Sequence, residues 1–273
     1  MNFVVPASLS SHAKIFVLTT AVPDGDDFVI NGHKWLITTF QEASFHIVMA
    51  QTEDKGGEKL GATMFVVDAD VEGLSEVRQL DMLDDMFPGG HSEIKLENVR
   101  VTPDRILGEV GKGFRYAQVR LCPARLTHCM RWLGLAKRCV EIATAYASER
   151  EGFGIQLADR ESVQVKLGDL AMRIEVGRLL VMKAAWEIDR GSYAQKEISM
   201  AKIHVANLLH DAADTGIQIN GARGYSKDTV LEWIYRYARQ ARLVDGADEV
   251  HKMLLNRHLT EEGADFWHWK GAP

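Results

Sequence analysis

Hydrophobic and polar positions alternate with two different periods along this chain of 273 residues. In the first 110 residues, short apolar runs separated by polar turns predict strands. The runs lie at residues 28–30, 33–38, 45–50, 62–67, 74–80 and 94–101. The Asn31–Gly32 pair between the first two runs is typical of a two-residue hairpin turn. Several short strands of this kind predict a small β-barrel or sandwich.

The period becomes helical from Gly113 onward. Apolar side chains recur at steps of three and four residues through three long segments and two shorter ones. The segments lie near residues 113–143, 163–188, 198–219, 229–241 and 247–260. Long antiparallel helices with short connections predict an up-down bundle. The predicted fold class is therefore α+β, with a β domain over residues 1–110 and a helical bundle over residues 111–273.

Composition excludes several classes of protein. The chain is 46% hydrophobic and 26% charged, with a formal net charge of -6, which excludes disordered and collagen-like chains. Neither a membrane span nor a signal peptide is apparent, so we expect a cytoplasmic protein. The first 110 residues hold 8 Lys and Arg against 18 Asp and Glu, whereas the remainder carries a net charge of +4. This division is either ordinary scatter or a sign that the helical half holds an anionic small molecule, and it is too weak for nucleic-acid binding.

Motifs for metal binding and nucleophilic catalysis are missing from the sequence. Cys122, Cys129 and Cys139 match no zinc spacing and are expected to be small core residues. The ten histidines include no HExxH pair, so no metal site is expected. The glycine-rich segment LGEVGKGF, residues 107–114, is neither a phosphate-binding loop nor a dinucleotide fingerprint. Composition and periodicity alone therefore indicate only a β-plus-α protein.

Six short motifs, in order along the chain, resemble the acyl-CoA dehydrogenase family. They are DGDDFVINGHKWLIT (24–38), ILGEVGKGF (106–114), RLCPAR (120–125), SEREGFG (148–154) with Gln164, QINGARGYS (218–226) and RLVDGADEVH (242–251). Each motif is weak alone, but their order across the change from β to α is specific. Together with HCMRWLGLAKR (128–138), the last motif is most similar to the branch that contains family members 10 and 11 and their bacterial relatives.

The resemblance implies a β-barrel middle domain and a C-terminal four-helix bundle, with FAD held between them and across a subunit interface. It also implies α,β-dehydrogenation of an acyl-CoA thioester, as in fatty-acid β-oxidation. In that reaction a carboxylate removes the α proton while the β hydrogen leaves as hydride to the flavin N5. The implied partners are an acyl-CoA substrate, an electron-transfer flavoprotein as acceptor, and further subunits in a homodimer or homotetramer.

Two residues match the catalytic positions of the family. Asp245 matches the base, which is usually a glutamate, and Arg125 matches the arginine beside the base and the thioester. Aspartate is one methylene shorter, so its carboxylate would lie about 1 to 1.5 Å further back unless the loop shifts. Alternatively, Asp245 caps the helix that follows, and the two roles are compatible. Some relatives place the base on the helix that carries the arginine, but the matching residue here is Ala124, which cannot serve.

The same resemblance assigns the cofactor-binding residues. These are Thr38, Arg150, Phe153, Gln164, Gln218, Gly221 and Gly246. An arginine suits a pyrophosphate because its planar fork binds oxygens in pairs. Leu36 replaces the tryptophan that usually stacks on the flavin, and strand alternation predicts that its neighbour Trp35 points to the opposite face.

The start of the chain departs from the family pattern. A complete member has an N-terminal helical domain and a Thr-Glu-Pro segment that touches the flavin, and we expect both to be missing here. This leaves three hypotheses: a shortened but active dehydrogenase, a non-catalytic subunit that completes the flavin site of a full-length relative, or a structural remnant that binds nothing. The aromatic cluster FWHW, residues 266–269, is a candidate tail for docking on a neighbour.

Overall fold

The computed structural model describes residues 18–83 and 88–267, with side chains through residue 263. The FWHW cluster lies outside the residues whose side chains are described. The chain divides into two compact units, Met1–Leu121 and Cys122–Pro273. Strands occupy the first unit and helices dominate the second, which confirms the predicted α+β class.

Six strands form one mixed sheet in the described part of the first unit. They are β1 (Thr20–Asp24), β2 (Asp27–Thr38), β3 (Phe45–Glu53), β4 (Lys59–Asp68), β5 (Leu74–Leu80) and β6 (His91–Val101). Their hydrogen-bonded order is β4-β3-β1-β2-β6-β5. Neighbours are antiparallel except for β1 and β3, which are parallel.

This sheet curls strongly, as a barrel or sandwich requires. The rings of Phe28 on β2 and Phe65 on β4 have centroids 5.5 Å apart, although β1 and β3 lie between those two strands. Three strand spacings amount to about 14 Å in a flat sheet, where side chains stand perpendicular to the plane. The inner face therefore closes on itself around one core, formed by Ala21, Ile30, Val48, Ala50, Phe65, Val67, Ile94, Leu96, Val99 and Val101.

The hairpin turn predicted at Asn31–Gly32 is wrong. Strand β2 runs straight through both residues, and the register on β6 shifts by a bulge between Ile30 and Gly32. Asn31 instead accepts a 2.8 Å hydrogen bond from the backbone N–H of Asn98. Position 32 requires a glycine because the backbone of Thr19 lies close to it: a Cβ at this position would lie 2.8 Å from the Cα of Thr19. The real turn lies at residues 25–26, between β1 and β2.

Six helices lie in the described residues. They are α1 (Gly113–Glu149), α2 (Glu161–Asp189), α3 (Gln195–Asn220), α4 (Ala222–Tyr225), α5 (Leu231–Ala241) and α6 (Asp248–Trp267). A two-stranded hairpin, β7 (Glu151–Gly152) and β8 (Ile155–Gln156), follows α1. Helix α3 is the central element of the second unit, since it packs against α2, α4, α5 and α6. No helix in the described ranges has the length and apolar character needed to cross a bilayer.

The helical period along α1 predicts one buried face that includes Met130, Ala136 and Ala143. Ala136 and Ala143 are buried, but Met130 is 57% exposed in the single chain. Trp132 instead fills the core and donates a 3.0 Å hydrogen bond from Nε1 to the hydroxyl of Tyr237 on α5. Of the three cysteines predicted to be core residues, Cys129 and Cys139 are fully buried and Cys122 is half-buried, and all three are free thiols.

The corner between α3 and α4 generates a prediction about stability. A Cβ at Gly224 would lie 2.8 Å from the carbonyl oxygen of Ile217, so we expect Gly224→Ala to destabilise the protein by about 1 to 3 kcal/mol. Gly168 on α2 is the matched control, because a Cβ there meets open space, and Gly168→Ala should stabilise by about 0.5 to 1 kcal/mol. Urea unfolding followed by circular dichroism measures both, and equal effects would contradict the steric account.

Candidate functional site

The loop between α5 and α6, residues 242–247, brings the two predicted catalytic residues together. Asp245 adopts a left-handed backbone with a φ of 53°. Arg125 on α1 donates a 2.8 Å hydrogen bond from Nε to the backbone carbonyl of Asp245. The Asp245 side chain is only 14% exposed. Arg125 is also partly buried, which lowers the pKa of its guanidinium, although the nearby Asp245 charge opposes that shift.

The position of Asp245 does not support a capping role. Helix α6 begins at Asp248, so the N-cap position belongs to Ala247. Asp248 itself, in the first turn, carries the negative charge that a helix N-terminus favours. Asp245 lies two residues before the cap position, and its role as the base stays a prediction.

A buried ionic network anchors this loop. Lys202 Nζ on α3 lies 3.3 Å from Asp248 Oδ1, and both side chains are 1% exposed. Arg242 Nε and Asn207 Nδ2 donate to Asp248 Oδ2 at 3.0 and 2.9 Å. Burial alone would raise the pKa of Asp248, but these donors and the Lys202 charge hold it below its usual value. Because three donors converge on one carboxylate, Asp248 remains ionised and the ends of the loop are fixed.

A buried histidine lies beneath the loop. His251 on α6 forms a 3.0 Å hydrogen bond between Nδ1 and Ser199 Oγ on α3. A Cβ at Gly246 would lie 3.0 Å from His251 Nε2, so the glycine lets the loop pass close to this ring. Burial, together with the charges of Lys202 and Arg125, lowers the pKa of His251 to about 4. The ring is therefore neutral at physiological pH.

A second histidine contacts the candidate base directly. His128 Nε2 on α1 lies 3.0 Å from Asp245 Oδ2. Motif matching assigned no role to His128, Lys202, Asp248 or His251. A signal did exist for His128, since it lies three residues after Arg125 and therefore shares its helix face. Lys202 falls on the apolar face of α3, where a charged residue indicates a buried partner.

Two predicted cofactor residues, Arg150 and Phe153, lie in or beside the β7–β8 hairpin, and a third, Gln164, lies in the first turn of α2. Phe153 and Gly154 form its turn with φ values of 54° and 80°, and the Phe153 side chain is fully exposed. An aromatic residue rarely adopts φ > 0. The guanidinium of Arg160 lies 5.7 Å from the centroid of the Phe153 ring. Arg150 precedes the hairpin and is exposed. Gln164 donates a 3.0 Å hydrogen bond to the carbonyl of Ala158 at the start of α2.

Two further predicted cofactor residues, Gln218 and Gly221, lie at the end of the helical unit that also carries Gln164. Gln218 is exposed on the last turn of α3, and its neighbour Ile219 packs in a cluster with Ala143, Ala147, Leu157, Ala158 and Val163. That cluster joins the end of α3 to the segment that carries Gln164. Gly221 ends α3 with φ 60° and ψ −137°, a conformation that favours glycine, and open space surrounds the Cβ position.

An open cavity of mixed charge lies at this end of the helical unit. It has a volume of about 660 Å³, lies between the end of α1 and the α3–α4 corner, and is lined by two arginines, Arg138 and Arg223, and two glutamates, Glu141 and Glu149. Guanidinium groups and an exposed backbone are the donors that phosphates prefer. In contrast, no group of three His, Cys, Asp or Glu side chains among residues 18–83 and 88–263 could hold a metal ion.

Thr38 lies at the end of β2 in the first unit. Its hydroxyl is 3.0 Å from His91 Nδ1 on β6. Regular strand alternation, which predicts that Trp35 and Leu36 point to opposite faces, does not hold here. The register between β2 and β6 shifts between Lys34 and Ile37, and Leu36 has a φ of 60°. Trp35 is exposed on this bulge.

Two family models match the chain. The acyl-CoA dehydrogenase middle domain matches residues 6–99, and the C-terminal domain of the same family matches residues 111–260. The chain belongs to the acyl-CoA dehydrogenase family. This confirms the resemblance of the six motifs.

Individual relatives agree with this family. FadE2 of Mycobacterium tuberculosis is 36% identical over 96% of this chain and 65% of its own length. Acyl-CoA dehydrogenase family member 11 of Gallus gallus is 36% identical over 86% of the chain and 31% of its own length. The acyl-CoA dehydrogenase structure from Geobacillus kaustophilus superposes with a TM-score of 0.83 at 27% identity, covering 89% of this chain and 64% of that one. The chain therefore spans less than two thirds of the length of these relatives.

The buried His251 of this dehydrogenase-family chain predicts a pH dependence of stability. Its pKa falls from 6.5 in the unfolded chain to about 4 in the folded one, so below pH 6.5 only the unfolded state gains the proton. We expect the free energy of unfolding to fall by about 3 kcal/mol between pH 7 and pH 4 through this group.

His251→Asn should remove most of that slope while keeping a polar partner for Ser199. Urea unfolding at pH 4, 5, 6 and 7 measures the difference between variant and parent. Asp248 weakens the fold only at lower pH, because its folded pKa lies below the ordinary aspartate value. Identical slopes in the two proteins would show that His251 is not neutral in the folded state.

Proposed function

We propose that this chain carries the base and the cofactor-binding residues of an FAD-dependent dehydrogenation of acyl-CoA thioesters to 2-enoyl thioesters. The observation that supports this most directly is the placement of Asp245 on a fixed loop, one hydrogen bond from Arg125. The family motifs predict Asp245 and Arg125 as catalytic residues, and a hydrogen bond joins these two residues. FAD, when bound, supplies the hydride acceptor that the oxidation requires.

Asp245 removes the proton from the α carbon of the thioester. Its carboxylate is largely excluded from water, and a positioned carboxylate can act as the general base for such a proton transfer. Arg125 has a separate task, since its Nε holds the loop backbone through the Asp245 carbonyl. Gly246 provides the space that lets this loop pass over His251. Asp245 and the loop that carries it are thus held in one position by Arg125.

Arg150, Phe153, Gln164, Gln218 and Gly221 would hold the dinucleotide. The positions of Gln164, Gln218 and Gly221 at one end of the helical unit support this assignment. The exposed Phe153 fits a contact across a subunit interface, and we propose a homodimer or a higher oligomer. An electron-transfer flavoprotein is the proposed acceptor; one relative, CarC of Acetobacterium woodii, is named as a subunit of a reductase–Etf complex.

Replacing the base tests the proposed chemistry. Asp245→Asn should reduce the rate of flavin reduction by acyl-CoA by at least about a hundredfold, because an amide cannot accept the α proton. Flavin content should be unchanged, and Asp214→Asn, an exposed position on α3, is the matched control. Anaerobic stopped-flow absorbance with a panel of acyl-CoAs measures the rate. Flavin reduction at the parental rate in Asp245→Asn would exclude Asp245 as the base.

Flavin retention tests the cofactor assignment. Arg150→Ala should lower the flavin-to-protein ratio after gel filtration, since it removes a cation proposed to bind the pyrophosphate. Arg178→Ala, exposed on α2, should leave the ratio unchanged. Equal ratios in the two variants would contradict the role of Arg150. A colourless chain that gains flavin only beside a full-length relative would support the alternative function of a non-catalytic partner subunit.

A further inference from the structure

Helix α2 is apolar on two faces. One face packs on α3 and buries Leu170, Ile174, Gly177, Val181 and Ala184. The opposite face carries a second apolar stripe, which we call the α2 seam. It consists of Val165, Met172, Val176, Leu179, Met182 and Trp186, and each of these side chains is 42–65% exposed in the single chain. A helix that is apolar on both faces is typical of one that packs on both sides.

The α2 seam has the spacing of a coiled coil. Val165, Met172, Leu179 and Trp186 follow one another at intervals of seven residues. A repeat of seven keeps these side chains on one side of the helix, where they can insert between the side chains of a second helix. The seam runs for about 32 Å along α2. Its spacing and length therefore indicate another long helix as the partner.

The two ends of the α2 seam differ in charge. Glu161 and Asp169 lie on the N-terminal part of α2. At the other end, Lys183 Nζ lies 4.2 Å and the Arg190 guanidinium 4.4 Å from the centroid of the Trp186 ring. Two copies of α2 that run antiparallel bring the acidic end of one beside the basic end of the other, which is favourable, whereas a parallel pair brings like charges together.

One antiparallel register satisfies this charge pattern. With a two-fold axis placed between residues 175 and 176, Glu161 lies opposite Arg190 of the other copy. In the same register, Asp169 lies within one residue of the position opposite Lys183. Each of these pairs occurs twice, because the axis relates the two copies.

The same register also matches the sizes of the apolar side chains. Val165 lies opposite Trp186, and Met172 lies opposite Leu179. A small side chain therefore faces the largest one, so that the two helices can stay at an even distance. A parallel pair would instead place two copies of Trp186 against each other.

We propose that the α2 seam is the docking surface for a second copy of this chain, whose own α2 packs against it in the antiparallel direction around a two-fold axis near Val176. The same patch then serves both copies, as a two-fold interface requires. The inference goes beyond the proposed dehydrogenation, since neither the Asp245 loop nor a flavin takes part in the seam.

Cysteine cross-linking tests the direction of the two helices. In the proposed pair, position 176 lies beside its own copy, whereas two copies of position 169 lie about 20 Å apart. With a short bismaleimide reagent, Val176→Cys should cross-link to itself. Asp169→Cys should cross-link to Met182→Cys in a mixture but not to itself. The parent chain, with its three free thiols, gives the background.

Two outcomes of the cross-linking would overturn the proposal. Self-cross-linking of Asp169→Cys as fast as that of Val176→Cys would indicate a parallel pair. Cross-linking no greater than the background would indicate another occupant of the seam, such as a further domain of a longer relative.

Sedimentation equilibrium tests whether the seam holds the copies together. Leu179→Glu places a charge in the apolar stripe and should halve the mass of the parent oligomer. Its circular dichroism should be unchanged, because Leu179 is 65% exposed in the single chain. Met253→Glu on α6, where the side chain is 53% exposed, is the matched control and should keep the parental mass. A monomeric parent, or equal masses in all three proteins, would contradict the proposal.

Charge reversal tests the register. Asp169→Lys and Lys183→Asp should each weaken self-association about threefold to tenfold at low salt, and the double variant should recover most of the parental affinity. A double variant that is as weak as the single ones would show that these residues do not face each other. Flavin reduction and its dependence on Asp245 are measured separately, so failure of the seam is distinguishable from failure of the proposed function.

Discussion

The hydrogen bond from Arg125 Nε to the backbone carbonyl of Asp245 fixes the loop on which the candidate chemistry depends. The loop joins two helices and has a left-handed residue at its centre, so it has little regular structure of its own to hold it. A side chain from α1 supplies the missing constraint. Because Arg125 is partly buried, this bond forms in an environment where water competes poorly for the carbonyl.

The buried Asp248 network gives the same loop its second anchor. A buried ion pair contributes little to stability on its own, since the cost of desolvation offsets most of the attraction. Its geometry, however, is demanding: Lys202, Arg242 and Asn207 must all reach one carboxylate. Alternative loop positions would leave a charge unpaired in the core at a cost of several kcal/mol. The network therefore selects one position for the α5–α6 connection.

Five of the six described α-helices were predictable from sequence, with ends that differ by up to seven residues, because a period of 3.6 is repeated over these segments. The β domain was less predictable. Asn31–Gly32 has the composition of a turn. In the structure, however, Asn31 lies at a bulge of β2 and Gly32 lies against Thr19. Alternation failed again at Leu36 for the same reason, since a bulge shifts every later side chain to the other face.

The site was predictable only as far as family motifs reach. Asp245 and Arg125 were found because they match known positions, and the structure brings them together. Lys202 comes from α3, whereas Asp248 and His251 come from α6, so their convergence depends on how these two helices pack. No local pattern carries that information. A lysine on the apolar face of α3 signals that a partner exists but not which residue it is.

The shorter side chain of Asp245, compared with the glutamate usual in the family, has a counterpart in its backbone. Aspartate adopts the left-handed conformation more readily than most residues, and that conformation turns the Cα–Cβ bond in a new direction. The loop conformation, as well as side-chain length, then decides where the carboxylate lies. Arg125 donates to the main chain of this residue, and His128, three residues further along the same face of α1, lies beside its side chain. Helix α1 therefore contacts both the loop backbone and the acid group that the loop carries.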